Sequence, residues 1–238
     1  MYQITLGADR ARKDWVGLLY LRLKTAIKDG VVVIAEENDR VSLGVAVKEK
    51  NDTDKVVFGI LYDFFLKDVK GQYLYSTIKR YAVDEFLVQV YIKILKNFNT
   101  TDEKRILTEK LRMYRNFSLD GFYRFRLAPL REKWEELLTL TYNNIDLLKD
   151  ESTFSLLIEN LVSCLPIVTE SAELDCNGDN YFLKFDNGTE FVTANADEVV
   201  YAIIDNLPKK LVLAHKASNN RICNRLKSVF GMEFVQII

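Results

Sequence analysis

Residues 72–98 read QYLYSTIKRYAVDEFLVQVYIKILKNF, and the fold class follows from the pattern in this stretch. Apolar side chains recur at every fourth position, at Ile78, Ala82, Phe86, Val90, Ile94 and Phe98. A repeat of three or four residues places side chains on one face of an α-helix. The stretch therefore predicts one long amphipathic helix, with its apolar face turned toward a core.

Helical periodicity continues on both sides of this stretch. Further helices are predicted over residues 54–69, 101–114, 118–148 and 152–164. The polar residues 51–54 can cap the first of them, and Lys70-Gly71 is expected to end it. Pro129 is expected to kink the helix over residues 118–148, because it removes a backbone donor. Residues 51–165 thus form a predicted helical region, which Pro166 closes.

The two ends of the chain change to strand patterns. The first 50 residues predict β-α-β-β, and Val31-Val32-Val33-Ile34 is continuous and β-branched, which is typical of a buried strand. In the tail, Asn187-Gly188 separates two short apolar runs, which is a strong hairpin signal. The tail predicts β-β-α-β-α-β, with elements at residues 181–185, 190–193, 196–206, 210–214, 219–230 and 233–238.

The predicted fold class is α+β, a predominantly helical middle flanked by small α/β N- and C-terminal segments. The sequence divides into residues 1–50, 51–165 and 166–238, which could also form one compact unit. Whether the two α/β segments share one sheet is left open by the sequence.

Composition limits the classes of function. The chain is 48% hydrophobic and 28% charged, which is typical of a globular protein, and its net charge of −1 gives no general attraction to nucleic acid. No apolar run approaches the roughly 18 residues that a membrane span needs, so no membrane insertion is expected. The widely spaced cysteines, Cys164, Cys176 and Cys223, predict reduced thiols in a cytoplasmic protein.

Known catalytic and cofactor-binding patterns are missing from the sequence. There is a single histidine, and no CxxC pair or glycine-rich phosphate loop occurs. We therefore predict no catalytic residues, no cofactor and no metal site. Two isolated groups have structural interpretations: Cys164 is expected to pack in an apolar helix end, and Glu85 to pair with an arginine from another helix.

A basic and aromatic stretch is the most informative local feature. Between residues 104 and 131 there are eight basic residues, interleaved with aromatic ones: Lys104, Arg105, Lys110, Arg112, Arg115, Arg124, Arg126 and Arg131. Arginine binds carboxylate or phosphate groups through two hydrogen bonds, and aromatic faces can stack on bases. An acidic partner or nucleic acid could therefore contact Arg112, Arg115, Arg124 and Arg126. The alternative is a solvated or locally paired face, with Phe122 and Phe125 in the core.

A second candidate site follows the predicted strand at residues 210–214. His215, Lys216, Ser218 and Arg221 stand where that strand gives way to a helix, and helix N-termini favour anions. A small-anion or nucleotide-using enzyme could use these residues. The alternative is an ordinary strand-to-helix turn.

Several segments together resemble one known family. These segments read AVDEFL at residues 82–87, GFYRFRL at 121–127, LVSCLP at 161–166, LPKKLVLAH at 207–215 and SVFG at 228–231. Their order resembles the YtxC-like sporulation proteins of spore-forming Firmicutes. The resemblance implies a cytoplasmic protein associated with sporulation, with no established catalytic residues. It favours a non-enzymatic interaction or scaffold protein with an unidentified protein partner.

Overall fold

The computed structural model describes residues 2–48, 53–82, 84–98, 100–111, 116–177, 179–214, 220–231 and 234–237. This part of the protein is 61% helix and 24% strand, so the prediction of a helix-dominated α+β fold is confirmed. The chain divides into two compact units. Unit 1 comprises Met1–Gln72 and Asn99–Leu137, and unit 2 comprises Tyr73–Phe98 and Leu138–Ile238. Each unit combines one terminal segment with helices from the middle of the chain.

Within the described residues, the N-terminal and C-terminal strands form two separate sheets. The sheet of unit 1 contains β1 (Tyr2–Asp9), β2 (Gly30–Glu37), β3 (Arg40–Val47) and β4 (Asn116–Ser118), in the order β2-β3-β1-β4. Strand β1 is antiparallel to β3 and parallel to β4. Helix α1 (Lys13–Ala26) covers one face of the sheet, because alternate residues of β1 and β3 are apolar and buried there.

The prediction that residues 31–34 form a buried strand is wrong. Strand β2 lies at the edge of the sheet, and the side chains of Val31, Val33 and Ile34 are exposed. A two-residue turn at Asn38, which has a φ of 51°, pairs β2 with β3. A β-branched run indicates a strand but carries no information on whether a neighbour lies on each side.

The helices of unit 1 are less regular than their periodicity predicts. Helix α2 (Thr53–Asp63) continues without a stop through the π-helical segment Phe64–Val69 into α3 (Lys70–Ile78), so the predicted end at Lys70-Gly71 is wrong. After α5 (Thr100–Leu111), the predicted helix over residues 118–148 is four pieces rather than one. They are α6 (Leu119–Gly121), the π-helical turn Phe122–Arg126, α7 (Ala128–Asn143) and the 3-10 helix Ile145–Lys149.

Pro129 starts a helix rather than kinking one. It lies in the first turn of α7, where a backbone N–H would have no partner within the helix. Ser118 opens this region, as its sequence position predicts, because its hydroxyl accepts a hydrogen bond from the Gly121 N–H at 3.2 Å.

A buried ion pair joins three helices of unit 1. The Lys70 ammonium lies 2.8 Å from Glu103 Oε1, and both side chains are 0% exposed. The Trp134 indole N–H donates to the same carboxylate at 3.1 Å. Burial lowers the pKa of Lys70 and raises the pKa of Glu103, while the attraction between the two groups opposes both shifts. Each charge therefore depends on the other for its place in the core.

The sheet of unit 2 is built around a strand with a weak sequence signal. It contains β5 (Thr169–Asn177), β6 (Asn180–Phe185), β7 (Glu190–Thr193), β8 (Pro208–Leu213) and β9 (Val235–Ile237), in the order β7-β6-β5-β8-β9. Strand β5 is central and was not predicted, because only Ala172 and Leu174 supply its buried apolar side chains. The hairpin around Asn187-Gly188 is confirmed, and Gly188 has a φ of 84°.

The helices of unit 2 are α4 (Glu85–Asn97), α8 (Glu151–Ser163), α9 (Ala196–Asp205) and α10 (Asn220–Phe230). The predicted single helix over residues 72–98 is wrong, because α3 ends at Ile78 and α4 begins at Glu85. Asp84 caps α4, since its carboxylate accepts a hydrogen bond from the Leu87 N–H at 2.7 Å. The apolar repeat at fours continues across this break and therefore concealed it.

An aromatic and charged cluster joins α4, α9 and α10. The rings of Phe86 and Tyr201 stack with centroids 6.1 Å apart, and the Arg225 guanidinium lies 4.0 Å from the Phe86 centroid. Arg225 Nε also lies 3.1 Å from a carboxylate oxygen of Asp197, although the two groups are not aligned for a hydrogen bond. Burial, followed by the nearby Asp197 charge, raises the pKa of Tyr201 to about 12.

We expect Lys70→Met to lower the free energy of unfolding by about 3–5 kcal/mol, because it leaves Glu103 buried without its counter-charge. The double variant Lys70→Met/Glu103→Gln removes both charges and keeps an acceptor for Trp134. It should recover most of the loss in urea denaturation. A double variant that is as unstable as Lys70→Met would contradict this account of the pair.

Stability should fall between about pH 10 and pH 12 in part because of Tyr201. Its folded-state pKa of about 12 lies above the unfolded value, so the unfolded chain loses this proton first. The contribution is complete below pH 10 and is lost as the pH rises through the folded pKa. Tyr201→Phe should make the decline shallower in denaturation measured at several alkaline pH values. An identical decline in both proteins argues against the shift.

Candidate functional site

The candidate site lies on the π-helical turn Phe122–Arg126, within residues 121–127. The Leu127 N–H bonds to the Phe122 carbonyl at 3.1 Å, five residues back, which is the spacing of a π-helix. Such turns are wider than an α-helical turn and are frequent at functional sites. Two positions three residues apart, which would share a face of an α-helix, consequently point in different directions here.

Phe122 and Phe125 show this effect. Phe122 is buried and lies against Phe65, with ring centroids 5.4 Å apart, whereas Phe125 is 74% exposed. The prediction that both rings belong to the core is therefore correct for Phe122 and wrong for Phe125. The side chains on either side of Phe125, Arg124 and Arg126, are also exposed. The turn thus presents a phenyl ring between two guanidinium groups.

Tyr123 connects this turn to the core of unit 1. Its ring lies against Trp15, at 5.6 Å, and against Trp134, at 6.3 Å, whose indole reaches the buried Glu103. Burial raises the pKa of the Tyr123 hydroxyl, and the adjacent positive charges of Arg131 and Arg12 oppose the shift. The raised pKa keeps the Tyr123 hydroxyl protonated at neutral pH.

Two arginines stack on the same tyrosine. The Arg12 guanidinium lies 5.2 Å from the Tyr123 centroid and 4.2 Å from that of Trp15, and the Arg131 guanidinium lies 5.4 Å from Tyr123. Arg131 also donates to the Arg124 carbonyl at 2.8 Å, which fixes the backbone beside Phe125. These cation–π contacts hold the turn rigid and keep positive charge next to it.

Within the described residues, part of the basic stretch lies beside acidic side chains. Arg105 lies within 4 Å of both Asp102 and Glu109, at 3.8 Å and 3.6 Å. Beyond the turn, the exposed Glu132 and Glu135 follow on α7, and Glu136 pairs with Lys133 at 3.1 Å. Arg112 and Arg115 lie outside the described residues. The structure thus places Arg124 and Arg126 on the turn whose Tyr123 is contacted by Arg12 and Arg131, and the contact role of the predicted arginines stays a prediction.

The second candidate site is described only in part. His215, Lys216 and Ser218 lie outside the described residues, and Arg221 is exposed in the first turn of α10. The strand and helix that flank this segment are β8 and α10, as expected. The anion-binding role of these four residues stays a prediction.

Two other expectations are wrong. Cys164 is exposed at the C-terminal end of α8 rather than packed in the core, because the buried face of α8 is formed by Phe154, Ile158 and Val162. Glu85 is exposed and accepts hydrogen bonds from the Tyr75 hydroxyl at 2.8 Å and from Gln89. Its hydrogen-bond partners within the described residues are thus polar neutral groups rather than an arginine.

Several features escaped the sequence analysis. Arg12 is more than 100 residues from the turn, so only the tertiary structure could reveal its contact with Tyr123. The buried ion pair could have been suspected from the spacing of apolar residues in the sequence. Lys70 falls between Leu66 and Leu74 at a spacing of four, which places a lysine in the middle of an apolar stripe.

Comparison with known protein families, curated proteins and solved structures finds no match to this chain. Over the described ranges, none of the helices has the length and apolar character required to cross a membrane. The side chains described by the structure include no group of three or more His, Cys, Asp or Glu residues that could hold a metal ion.

The different environments of Phe122 and Phe125 can be tested by alanine substitution. We expect Phe122→Ala to lower the free energy of unfolding by about 3–5 kcal/mol, because it removes a buried ring. Phe125→Ala should change it by less than about 0.5 kcal/mol, since the ring is largely in water. Urea denaturation of the two variants measures both values. A large loss from Phe125→Ala would indicate that the ring packs in the core.

Proposed function

We propose that this chain is a non-enzymatic interaction protein that acts in the cytoplasm of sporulating cells. In this proposal it binds an acidic segment of a partner protein through Arg124, Phe125 and Arg126. The observation that carries the proposal is the exposure of Phe125 between two exposed arginines on a π-helical turn. The biological setting rests on the resemblance of the chain, including residues 121–127, to YtxC-like sporulation proteins.

The chemistry of this surface suits recognition of carboxylates. A guanidinium group can donate two parallel hydrogen bonds to one carboxylate, and such charge-assisted bonds are stronger than neutral ones. Aromatic and arginine side chains are also the residue types that contribute most to binding energy at protein interfaces. Removing an exposed phenyl ring from water adds an apolar contribution that a purely charged surface lacks.

The surface is held in place before a partner arrives. Phe122 anchors one side of the turn in the core, and the hydrogen bond from Arg131 to the Arg124 carbonyl fixes the other. The stacked Arg12 and Arg131 leave little freedom to the Tyr123 ring. A preorganised surface loses less conformational entropy on binding, so more of its contact energy appears as affinity.

The surrounding charges favour a short acidic segment over nucleic acid. Arginines beside aromatic rings are also found in nucleic-acid-binding surfaces, which makes nucleic acid the alternative ligand for this turn. However, Glu132 is exposed on the helix that follows the turn. Its charge would repel a long polyanion that extends beyond the two arginines, whereas a few carboxylates can contact Arg124 and Arg126 alone.

A photo-crosslinking experiment can identify the partner directly. Phe125 is replaced by benzoylphenylalanine in sporulating cells, and the products are identified by mass spectrometry. The same amino acid at Leu21, an exposed apolar position elsewhere in unit 1, serves as the control. We expect a protein with an acidic contact segment to be captured from position 125 and not from position 21. Capture of nucleic acid, or the same products from both positions, contradicts the proposal.

Binding of the purified partner should depend on the charge of the turn. Arg124→Glu/Arg126→Glu is expected to raise Kd at least about tenfold, because two charge-assisted contacts become repulsive. Arg105→Glu is a matched control, since Arg105 lies in the same basic stretch but on helix α5 rather than on the turn. Titration calorimetry at two salt concentrations measures the effect. An equal loss of affinity in the double variant and in the control would show that binding depends on general charge attraction rather than on the turn.

A further inference from the structure

The edge of the unit 1 sheet presents an open strand. Strand β2 is paired with β3 over its whole length, from Gly30↔Val47 to Glu37↔Arg40, without a bulge. Among the described residues, no strand lies on its other side. Alternate residues of β2 therefore direct backbone N–H and C=O groups away from the sheet, and these groups can pair with a further strand.

Strand β2 lacks most of the usual protections of an edge strand, and its two charged side chains, Glu36 and Glu37, lie at its C-terminal end. The segment Gly30–Glu37 contains no proline, lysine or arginine, and it is eight residues long. Val31 and Val33 are 59% and 52% exposed on the same face of the sheet, where Gly44 of β3 leaves a hollow beside Val33. By comparison, the edge strand β7 of the other sheet has only four residues. An apolar edge of this length is suited to strand pairing.

We propose that a second copy of this chain pairs with β2 in an antiparallel manner about a two-fold axis. The two four-stranded sheets then join edge to edge into one continuous sheet. A two-fold interface uses the same strand from both copies and is closed after one pairing. The product is therefore a dimer rather than an open-ended fibre.

Opposite charges at the two ends of β2 favour a second copy of this chain as the partner, and they favour one register of the two strands. Lys28 precedes the strand, and Glu36 lies near its end, so antiparallel copies place the base of one beside the acid of the other. Glu36 also lies 3.8 Å from Arg10, in an exposed pair that another cation can share. Only alternate residues have open backbone groups, so residues of the same parity must face each other. One residue of β2 therefore lies opposite the same residue of the second copy, on the two-fold axis. With Val32 on the axis, Lys28 lies opposite Glu36 twice per dimer.

The neighbouring register is less favourable. With Val33 on the axis, Asp29 would lie opposite Glu37, and like charges directly across an antiparallel pair are destabilising. With Val32 on the axis, Asp29 lies opposite Ala35, and Val31 lies opposite Val33. Both valines then lose water contact against apolar side chains.

Sedimentation analysis of the full chain over a concentration series tests the dimer. We expect the wild type to dimerise and Val33→Lys to be monomeric at the same concentrations, because the charge would lie beside an apolar partner. Val192→Lys is the matched control, since Val192 is 57% exposed on the edge strand β7 of the other sheet. Circular dichroism checks that both variants fold. A wild type that is monomeric throughout, or that forms larger assemblies, overturns the proposal.

Two further variants test the register. Lys28→Glu and Glu36→Lys should each raise the dimer Kd by about tenfold, and the combined charge swap should restore it. Val32→Cys should form a disulfide-linked dimer in a chain whose three native cysteines are replaced by serine. Crosslinking through Val33→Cys instead would contradict this register. Loss of dimer by Val192→Lys but not by Val33→Lys would place the interface on the other sheet.

Discussion

The buried contact between Lys70 and Glu103 is the constraint on which the organisation of unit 1 depends. Two opposite charges without solvent contact can remain in a core only if their geometry is maintained by the elements that carry them. Lys70 begins α3, Glu103 lies in the first turn of α5, and Trp134 is supplied by α7. One carboxylate therefore fixes the mutual position of three helices that are distant in sequence.

The π-helical turn Phe122–Arg126 is connected to this buried ion pair through a series of contacts. Trp134 is held by Glu103 on one side and lies beside Tyr123 on the other, and Tyr123 carries the stacked guanidinium groups of Arg12 and Arg131. An ionic contact in the core is thus connected to a charged surface through aromatic rings. The same connection explains how the turn tolerates an exposed phenyl ring, since the backbone beside it is fixed by Phe122 and by Arg131.

The edge strands of the two sheets differ in length and in apolar character. Within the described residues of unit 2, the outermost strands are short, with four residues in β7 and three in β9, which limits the open backbone at each edge. In unit 1, β4 has three residues, but β2 at the opposite edge has eight and is apolar. A long apolar edge carries a risk of indiscriminate pairing, and in the proposed dimer the charges at the two ends of the strand limit that pairing to a second copy.

The sequence by itself determined the helix-dominated α+β class, the hairpin at Asn187-Gly188 and the helix start at Ser118, because periodicity, turn residues and caps are local properties. It did not reveal the central strand β5, the break before Asp84 or the exposure of Phe125. An apolar repeat shows which side chains avoid water but not which element covers them. Strand order, the π-helical turn and the partners of Lys70 and Arg12 were decided only by the tertiary structure, since they arise from contacts between residues far apart in the chain.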